Sequence, residues 1–440
     1  MSGRSNSIMI VAGTRPEAIK LAPVIWSLEK LGVDYIFVWS GQHYDYEMSR
    51  IFFEQLGLPE PDVDIDVKSG SHAEQTAKIM IGVEKIIERY KPSIVVALGD
   101  TNTTLATALA STKTLTPFAH VEAGLRSWDR TMPEEINRII ADSIAELNFA
   151  PTQLAAINLM HSGVPIRKIF VTGNTIVDVV NRYKDLIYQN AEKLISTCKA
   201  EPERYVLVTI HRQENTDNKE RLENIVNALK ELSRYLPVIF PTHPRTIKRL
   251  EAYNLLGSLK SNVSILNPLG YFEFLGLLSN ATIVLTDSGG VQEEACIIGV
   301  PTLTLRYNTE RPETVLAGTN IVIGVEAVNI VKTALEIIKN QSYISRKGNC
   351  QGLLGDGKAG ERIASILRDY VDKIRVEESD IRKDPYILHV LLDYRENNCV
   401  SYEIISFYDE NGIPTLDPHN ARKILARIPR SEFSECLRKS

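Results

Sequence analysis

Cysteine is scarce in this sequence and is never arranged to serve as a scaffold. The five present (Cys198, Cys296, Cys350, Cys399, Cys436) are odd in number, scattered over 440 residues and never in a C-x-x-C pair. A disulfide framework and a structural zinc site are therefore not expected, and a reducing compartment is. No apolar run approaches the roughly 18 residues of a membrane span. The start, MSGRSNSIMIVAG, has too short an apolar stretch for a signal peptide, so a cytoplasmic protein is expected. No cluster has metal-ligand spacing, which predicts no metal. A Walker loop and the G-x-G-x-x-G dinucleotide fingerprint are both read as absent, so a nicotinamide cofactor is not expected either. There is no excess of positive charge: Lys plus Arg number 50 against 55 Asp plus Glu, a formal charge of −5, which argues against nucleic acid as a partner.

What remains is a globular composition, 44% apolar and 24% charged, in a chain too long for one ordinary core. Short β-branched runs recur, each followed by a stretch of helical period. The runs are Ile8–Ala12, Ile36–Ser40, Ile94–Gly99, Phe118–Val121, Ile169–Thr172, Tyr205–Ile210, Val238–Phe240, Ile283–Thr286 and Thr302–Leu305. Nearly all-apolar strands alternating with helices predict parallel sheets covered on both faces. The alternation pauses around Thr175–Pro202, which has no strand. This predicts an α/β protein of two doubly wound, Rossmann-like domains, 7–175 and 176–355, facing across a cleft. A C-terminal helix, 356–376, is expected to pack back on the first domain. Residues 377–440 read as a small appended α+β segment: a charged linker at Glu377–Lys383, a hairpin of Tyr386–Tyr394 and Ser401–Tyr408, and a helical tail after Pro418.

The chemistry-bearing residues sit at the predicted strand ends, where ligands of such sheets bind. In ATIVLTDSGGVQEEA (281–295) a strand runs into Ser288, Gly289 and Gly290 and then a helix. Free N–H groups at a helix N-terminus suit a phosphate. Glu294, one turn on, suits a ribose diol. In GTRPEAIK, Arg15 either grips an anion or is a surface arginine beyond a cap, and Lys20 adds a second charge. Asp100, after Ile94–Gly99, either faces the cleft or caps the next helix. Glu122, after Phe118–Val121, has no helix to cap, and Arg126 is its expected partner. In RTMPEEINR, Glu134 and Arg138 are spaced i, i+4 and able to pair. In the second half, strand ends bring His211 and Arg212 (HRQEN), His243 and Arg245 (PTHPR), and Arg311 (TERP). Tyr271, Phe272 and Phe274 suit either a nucleobase or the core.

Taken together, GTRPEAIK, GDTNTT, HVEAGLRS, MPEEINR, VTGNTIVD, HRQEN, DSGGVQEEA, TERPET and GDGKAGERI stand in the order of the non-hydrolysing UDP-N-acetylglucosamine 2-epimerases, and the chain resembles that family, archaeal-like members above all, from about Ile8 to Tyr370. The resemblance implies a GT-B-like fold, a homodimer, no metal and no nicotinamide. It implies reversible inversion at the sugar C2, interconverting UDP-GlcNAc and UDP-ManNAc through UDP elimination to 2-acetamidoglucal and re-addition. Asp100, Glu122 and Glu134 then look like the acid/base group, with His211 near the diphosphate. Arg15, Lys20 and Arg138 would help hold the sugar diphosphate, Ser288–Gly290 the phosphate and Glu294 the ribose. His243, Phe274 and Arg311 would be further contacts. Gln42 and His43 match part of the bacterial allosteric site, but SGS (Ser69–Ser71) replaces the bacterial PGQ pattern. Rival readings are an epimerase for a 2,3-diacetamido uronic acid sugar, a hydrolysing relative releasing free ManNAc, a GT-B glycosyltransferase and a nucleotide-sugar sensor.

Overall fold

Parallel strands with so few polar residues need helical cover on both faces. The computed structural model builds two such sheets. It describes residues 7–41, 52–68, 70–189, 192–340, 350, 352–381, 387–393, 403–408, 414–415 and 423–429. The first sheet holds seven parallel strands, β1 (Ile8–Ala12), β2 (Tyr35–Trp39), β3 (Val63–Asp64), β4 (Ile94–Leu98), β5 (Phe118–Val121), β6 (Leu147–Ala150) and β7 (Ile169–Val171), in the order β3-β2-β1-β4-β5-β6-β7. The second holds β8 (Val206–Thr209), β9 (Val238–Pro241), β10 (Ser264–Leu266), β11 (Ile283–Thr286), β12 (Thr302–Thr304) and β13 (Asn320–Val322), in the order β10-β9-β8-β11-β12-β13. Each order reverses beside its first strand, β1 next to β4 and β8 next to β11. Such a switch point opens a crevice at the carboxyl ends of the strands.

The central strands β1 and β4 are buried at every residue. Their register, Ile10 beside both Phe37 and Val96, makes the middle of the sheet wholly apolar. In the second sheet Val206, Val208, Ile283 and Leu285 pack with Leu222, Ile225 and Leu229 of the helix Lys219–Leu232. Four strands, β3, β6, β10 and β13, escape the sequence reading.

The helix Ala359–Ile381 returns to the first sheet's side of the fold. Asp178 accepts from the N–H groups of Ala359 and Gly360 at 3.2 and 3.0 Å, and Arg362 donates to the Thr172 carbonyl at 3.0 Å. The GDGKAG run before it does have G-x-G-x-x-G spacing, a correction to the sequence reading, but among the described residues no strand leads directly into it. The helix extends through Ile381, correcting the linker expected from Glu377.

Beyond Arg368 a second compact unit carries β14 (Ile387–Asp393), β15 (Glu403–Tyr408), β16 (Pro414–Thr415) and β17 (Lys423–Pro429), antiparallel in the order β14-β17-β15-β16. The helical tail expected after Pro418 is thus overturned at 423–429. Ile424, Ala426 and Ile428 alternate, and β17 pairs with β14 on one side and β15 on the other, so the hairpin expected of Tyr386–Tyr394 with Ser401–Tyr408 is overturned as well. A second correction concerns cysteine. Cys296 and Cys350 are disulfide-bonded, their Cα atoms 5.6 Å apart, because the chain folds a separation of 54 residues back on itself. No helix among the described residues is long and apolar enough to cross a membrane.

At Gly360 an added methyl would lie 2.4 Å from the Pro23 carbonyl oxygen, and backbone does not yield. Gly360→Ala is expected to lower stability by about 1–3 kcal/mol by overpacking. A thermal midpoint below that of the unsubstituted chain checks it.

Candidate active site

Neighbouring strands β1, β4 and β5 end side by side, so their following turns share one rim. Asp100 follows β4 and Glu122 follows β5. The helix after β4 is capped by the Thr101 hydroxyl, which accepts from the N–H groups of Thr103 and Thr104 at 3.1 and 3.4 Å. Asp100 is therefore free of capping and turns instead to Arg138, whose Nε and Nη2 donate to Oδ2 at 3.0 and 2.6 Å. Burial pushes the Asp100 carboxyl up, but Arg138, Arg212 and Arg311 outweigh it and hold it below the usual carboxylate range. Glu122 takes a backbone φ of 65°, a left-handed conformation costly for a residue with a side chain. Its carboxylate meets the Lys20 ammonium at 2.5 Å.

Two expected pairings are corrected. Arg126 does not reach Glu122; it donates to Asp142 at 2.5 Å, because Asp142 lies beneath the turn on the helix Pro133–Ile144. Glu134 does not pair with Arg138. Arg138 is buried, engaged by Asp100 and by Glu135 at 2.7 Å, while Glu134 points out and meets Arg212 at 3.0 Å.

The facing rim belongs to the second sheet. Asp287, fully buried at the end of β11, accepts from the N–H groups of His211 and Arg212 at 3.1 Å each and from Asn215 at 3.1 Å. This fixes the turn after β8. The His211 ring remains 39% exposed toward the cleft. Loss of hydration lowers its proton affinity, Arg212 and Arg306 lower it further, and Asp287 and Glu134 oppose them. Ser288 N-caps the helix Gly289–Ile298 without a side-chain cap bond. Gly289 has the Glu310 carboxylate 2.5 Å from where a Cβ would stand, so only bare backbone fits.

Between the rims lies a continuous buried charge network. Glu293 bonds Lys20 at 2.8 Å, Arg311 at 2.5 Å and the Asn174 amide at 2.8 Å. Lys20 is held cationic: burial opposes its charge, but Glu122 and Glu293 raise its proton affinity. Glu310 faces Arg306 at 2.8 Å, Arg212 at 3.4 Å and Arg138 at 4.0 Å. Burial alone would protonate it, and those guanidiniums together with Arg311 hold it well below the usual range. Glu17 fastens two turns at once, accepting from the Gly13 and Thr14 N–H groups at 2.9 and 2.7 Å and from the Thr101 hydroxyl at 2.6 Å.

Lys20, Asp100, Glu122, Glu134, Arg138, His211 and Arg311 thus share one cleft, with Ser288, Gly289 and Gly290 at its second rim. Arg15 is half-buried, 5.8 Å from the Phe52 ring. His243 is exposed; its Nδ1 caps its own helix and its ring lies 6.4 Å from His211. Phe274 is half-buried, and the ring contacts of its helix are made by Tyr271 and Phe272 instead. Gln42 and His43 lie outside the described residues. Sequence reasoning placed Arg212 at a strand end without giving it a role, and left Glu17, Asp287, Glu293, Arg306 and Glu310 without a role in the site. Arg212 and Glu293 stand beside His211 and Glu294 in HRQEN and GGVQEEA, so adjacency to a candidate was the available signal. Among the described residues no group of three or more His, Cys, Asp or Glu is arranged to hold a metal ion.

The family model described as UDP-N-acetylglucosamine 2-epimerase matches residues 27–368. A UDP-N-acetylglucosamine 2-epimerase of Methanocaldococcus jannaschii is 49% identical over 365 residues, 82% of this chain and 98% of the relative. The crystal structure of the Methanocaldococcus jannaschii UDP-GlcNAc 2-epimerase in complex with UDP-GlcNAc and UDP superposes with a TM-score of 0.77 at 47% identity, covering 82% of this chain and 99% of that one. A UDP-2,3-diacetamido-2,3-dideoxy-D-glucuronate 2-epimerase of Pseudomonas aeruginosa is 40% identical over 362 residues, 82% of this chain and 99% of the relative.

Glu294 gives a test independent of turnover. Burial, led by loss of hydration, raises its carboxyl to about 7, against the lowering by Tyr271 and Lys20. A raised carboxyl is protonated in the fold and ionised in the unfolded chain between its two values. Its stability contribution is therefore complete at low pH and lost as pH rises through about 7. Glu294→Gln is expected to remove that decline. Thermal midpoints of both proteins at about pH 5 and about pH 8 check it: the unsubstituted protein should fall relative to the variant at the higher pH.

Proposed function

Because the chain belongs to the UDP-N-acetylglucosamine 2-epimerase family, we propose that it interconverts UDP-GlcNAc and UDP-ManNAc by inversion at C2 without hydrolysis. The observation that carries this reading is the convergence of Asp100 and Glu122 on a cationic cleft opposite the Ser288–Gly290 helix N-terminus. Removing the C2 proton while UDP departs from C1 needs a base beside C2 and positive groups around the leaving diphosphate. A carboxylate takes the proton, the C1–O bond breaks with its electrons going to UDP, and a C1=C2 double bond forms. A second acid returns a proton to the opposite face of C2, and the same UDP adds back to C1.

In this reading Asp100, held ionised by Arg138, and Glu122, paired with Lys20, exchange protons with C2. Glu134 and His211 stand at the cleft mouth as further proton-handling groups. Arg15, Lys20, Arg138 and Arg311 carry positive charge toward the sugar diphosphate. The N–H groups of Gly289 and Gly290 receive phosphate oxygens, and Glu294 accepts from the ribose hydroxyls. His243 and Phe274 lie toward the nucleotide end. The homodimer and the cytoplasmic location implied by the motifs belong to the same proposal. The identity of 40% to the diacetamido-glucuronate enzyme supports one alternative, a modified UDP-sugar as substrate. The higher identity of 49% to a UDP-GlcNAc enzyme favours UDP-GlcNAc.

In heavy water the protein is expected to place deuterium at C2 of UDP-GlcNAc and UDP-ManNAc, followed by NMR. Free ManNAc without UDP-ManNAc would make it a hydrolase, and no reaction except with the diacetamido uronate would move the substrate. Asp100→Asn and Glu122→Gln are each expected to lower turnover by about 10²–10⁴-fold, the usual worth of a proton-transfer group. UDP affinity should stay roughly intact, and near-normal turnover in both would refute their roles.

A further inference from the structure

One fully buried ionisable pair is left without a task by the reading above. His120, on β5, and Asp142, on the helix Pro133–Ile144, are both inaccessible to solvent, with Nδ1 and Oδ1 at 2.7 Å. The other ring nitrogen, Nε2, lies 2.7 Å from the Gly99 carbonyl oxygen. A carbonyl only accepts, so Nε2 donates. Asp142 also receives the Gly124 N–H at 3.2 Å and the Arg126 guanidinium at 2.5 Å, both on Oδ2, while Oδ1 and Nδ1 are bridged by one proton.

The partners of this pair are the residues that flank the two strand-end acids. Gly99 immediately precedes Asp100, and Gly124 follows Glu122 by two. The neighbouring backbone is fastened on the same plan: Asn137 donates to the Asp100 carbonyl at 2.8 Å, and Asn158 to the Gly124 carbonyl at 3.0 Å. The residue before Asp100 lies against the second acid, since a Cβ on Gly99 would stand 3.8 Å from the Glu122 carboxylate. Glu122 also keeps its left-handed backbone only while the turn around it is held.

We infer that the His120–Asp142 pair is the positioning element that sets the separation of the Asp100 and Glu122 carboxylates for proton transfer at C2. This rests on the epimerase reading. His120 touches no substrate; it acts by clamping the turn before one acid to the turn after the other. Proton transfer is steep in distance, and a misplacement of about 1 Å costs on the order of 10²-fold in rate.

The test compares the unsubstituted protein with H120N and H120Q for C2 deuterium exchange on UDP-GlcNAc, kcat, KM, UDP affinity and thermal midpoint. The glutamine amide keeps only the bond to the Gly99 carbonyl and the asparagine amide only the bond to Asp142, so each variant opens the clamp at one end. Both are expected to lose about 10²-fold in kcat with KM and UDP affinity retained. A kcat in either variant equal to the unsubstituted value, or a loss that falls on KM and UDP affinity instead, overturns the inference while leaving the epimerase reading standing. No C2 exchange by the unsubstituted protein on any UDP-N-acetylhexosamine overturns both. Nitrogen NMR of histidine-labelled unsubstituted protein needs no variant: His120 should carry a proton on Nε2, and a bare Nε2 overturns the inference.

Discussion

Glu293 is the constraint on which the rest of the cleft depends. Its carboxylate is buried in the second Rossmann-like half, and two of its three partners, Lys20 and Asn174, come from elsewhere in the chain. A lone buried carboxylate would protonate or draw in water. Burial does push Glu293 up, and Arg311 and Lys20 pull it back. The two rims must therefore meet for the charge to be balanced. Such buried pairs add little net stability, but removing one partner costs about 3–5 kcal/mol. Their effect is to specify one geometry. Lys20 shares its ammonium between Glu293 and Glu122, so the bond that joins the halves also orients an acid of the first rim.

The same economy recurs around the cleft. Glu310 gathers Arg138, Arg212 and Arg306, and those arginines in turn reach Asp100, Glu134 and Glu214. Each side chain that faces the open cleft has a partner that does not. Glu17 ties the turn after β1 to the turn after β4, and Asp287 ties the turn after β8 to the end of β11. Short parallel strands place their ends together, and buried carboxylates then lock the turns. The division of labour proposed here follows: acids and ammonium on the first rim work on the sugar, and bare helix N–H groups on the second receive the phosphate.

How much of this was legible in the sequence follows from how local each signal is. Ile8–Ala12, Phe118–Val121 and Ile283–Thr286 are doubly buried apolar runs, and their bounds read directly from residue type. β17 does not, because Lys423–Pro429 suits either a helix or a strand until neighbours on both sides claim its backbone. Asp100, Glu122 and His211 were readable as strand-end polar residues. Their partners were not, since Asp100 with Arg138, or Glu293 with Lys20, spans a separation that spacing cannot report. The pairings Glu122–Arg126 and Glu134–Arg138 illustrate this. Sequence proximity suggested both, and buried groups elsewhere outcompeted them. The cysteine reading missed Cys296–Cys350 for the same reason.

The central claim is that UDP leaves C1 and stays in its seat while C2 is reworked. UDP-GlcNAc carrying an oxygen-18 label in the bridge between C1 and the β-phosphorus tests this most directly. If the claim holds, substrate recovered before equilibrium has the label scrambled into the non-bridging β-phosphate oxygens, because the released phosphate turns in its cradle before re-adding. Exchange of the C2 proton with the label still wholly in the bridge would contradict it, since the C1–O bond would then never have broken.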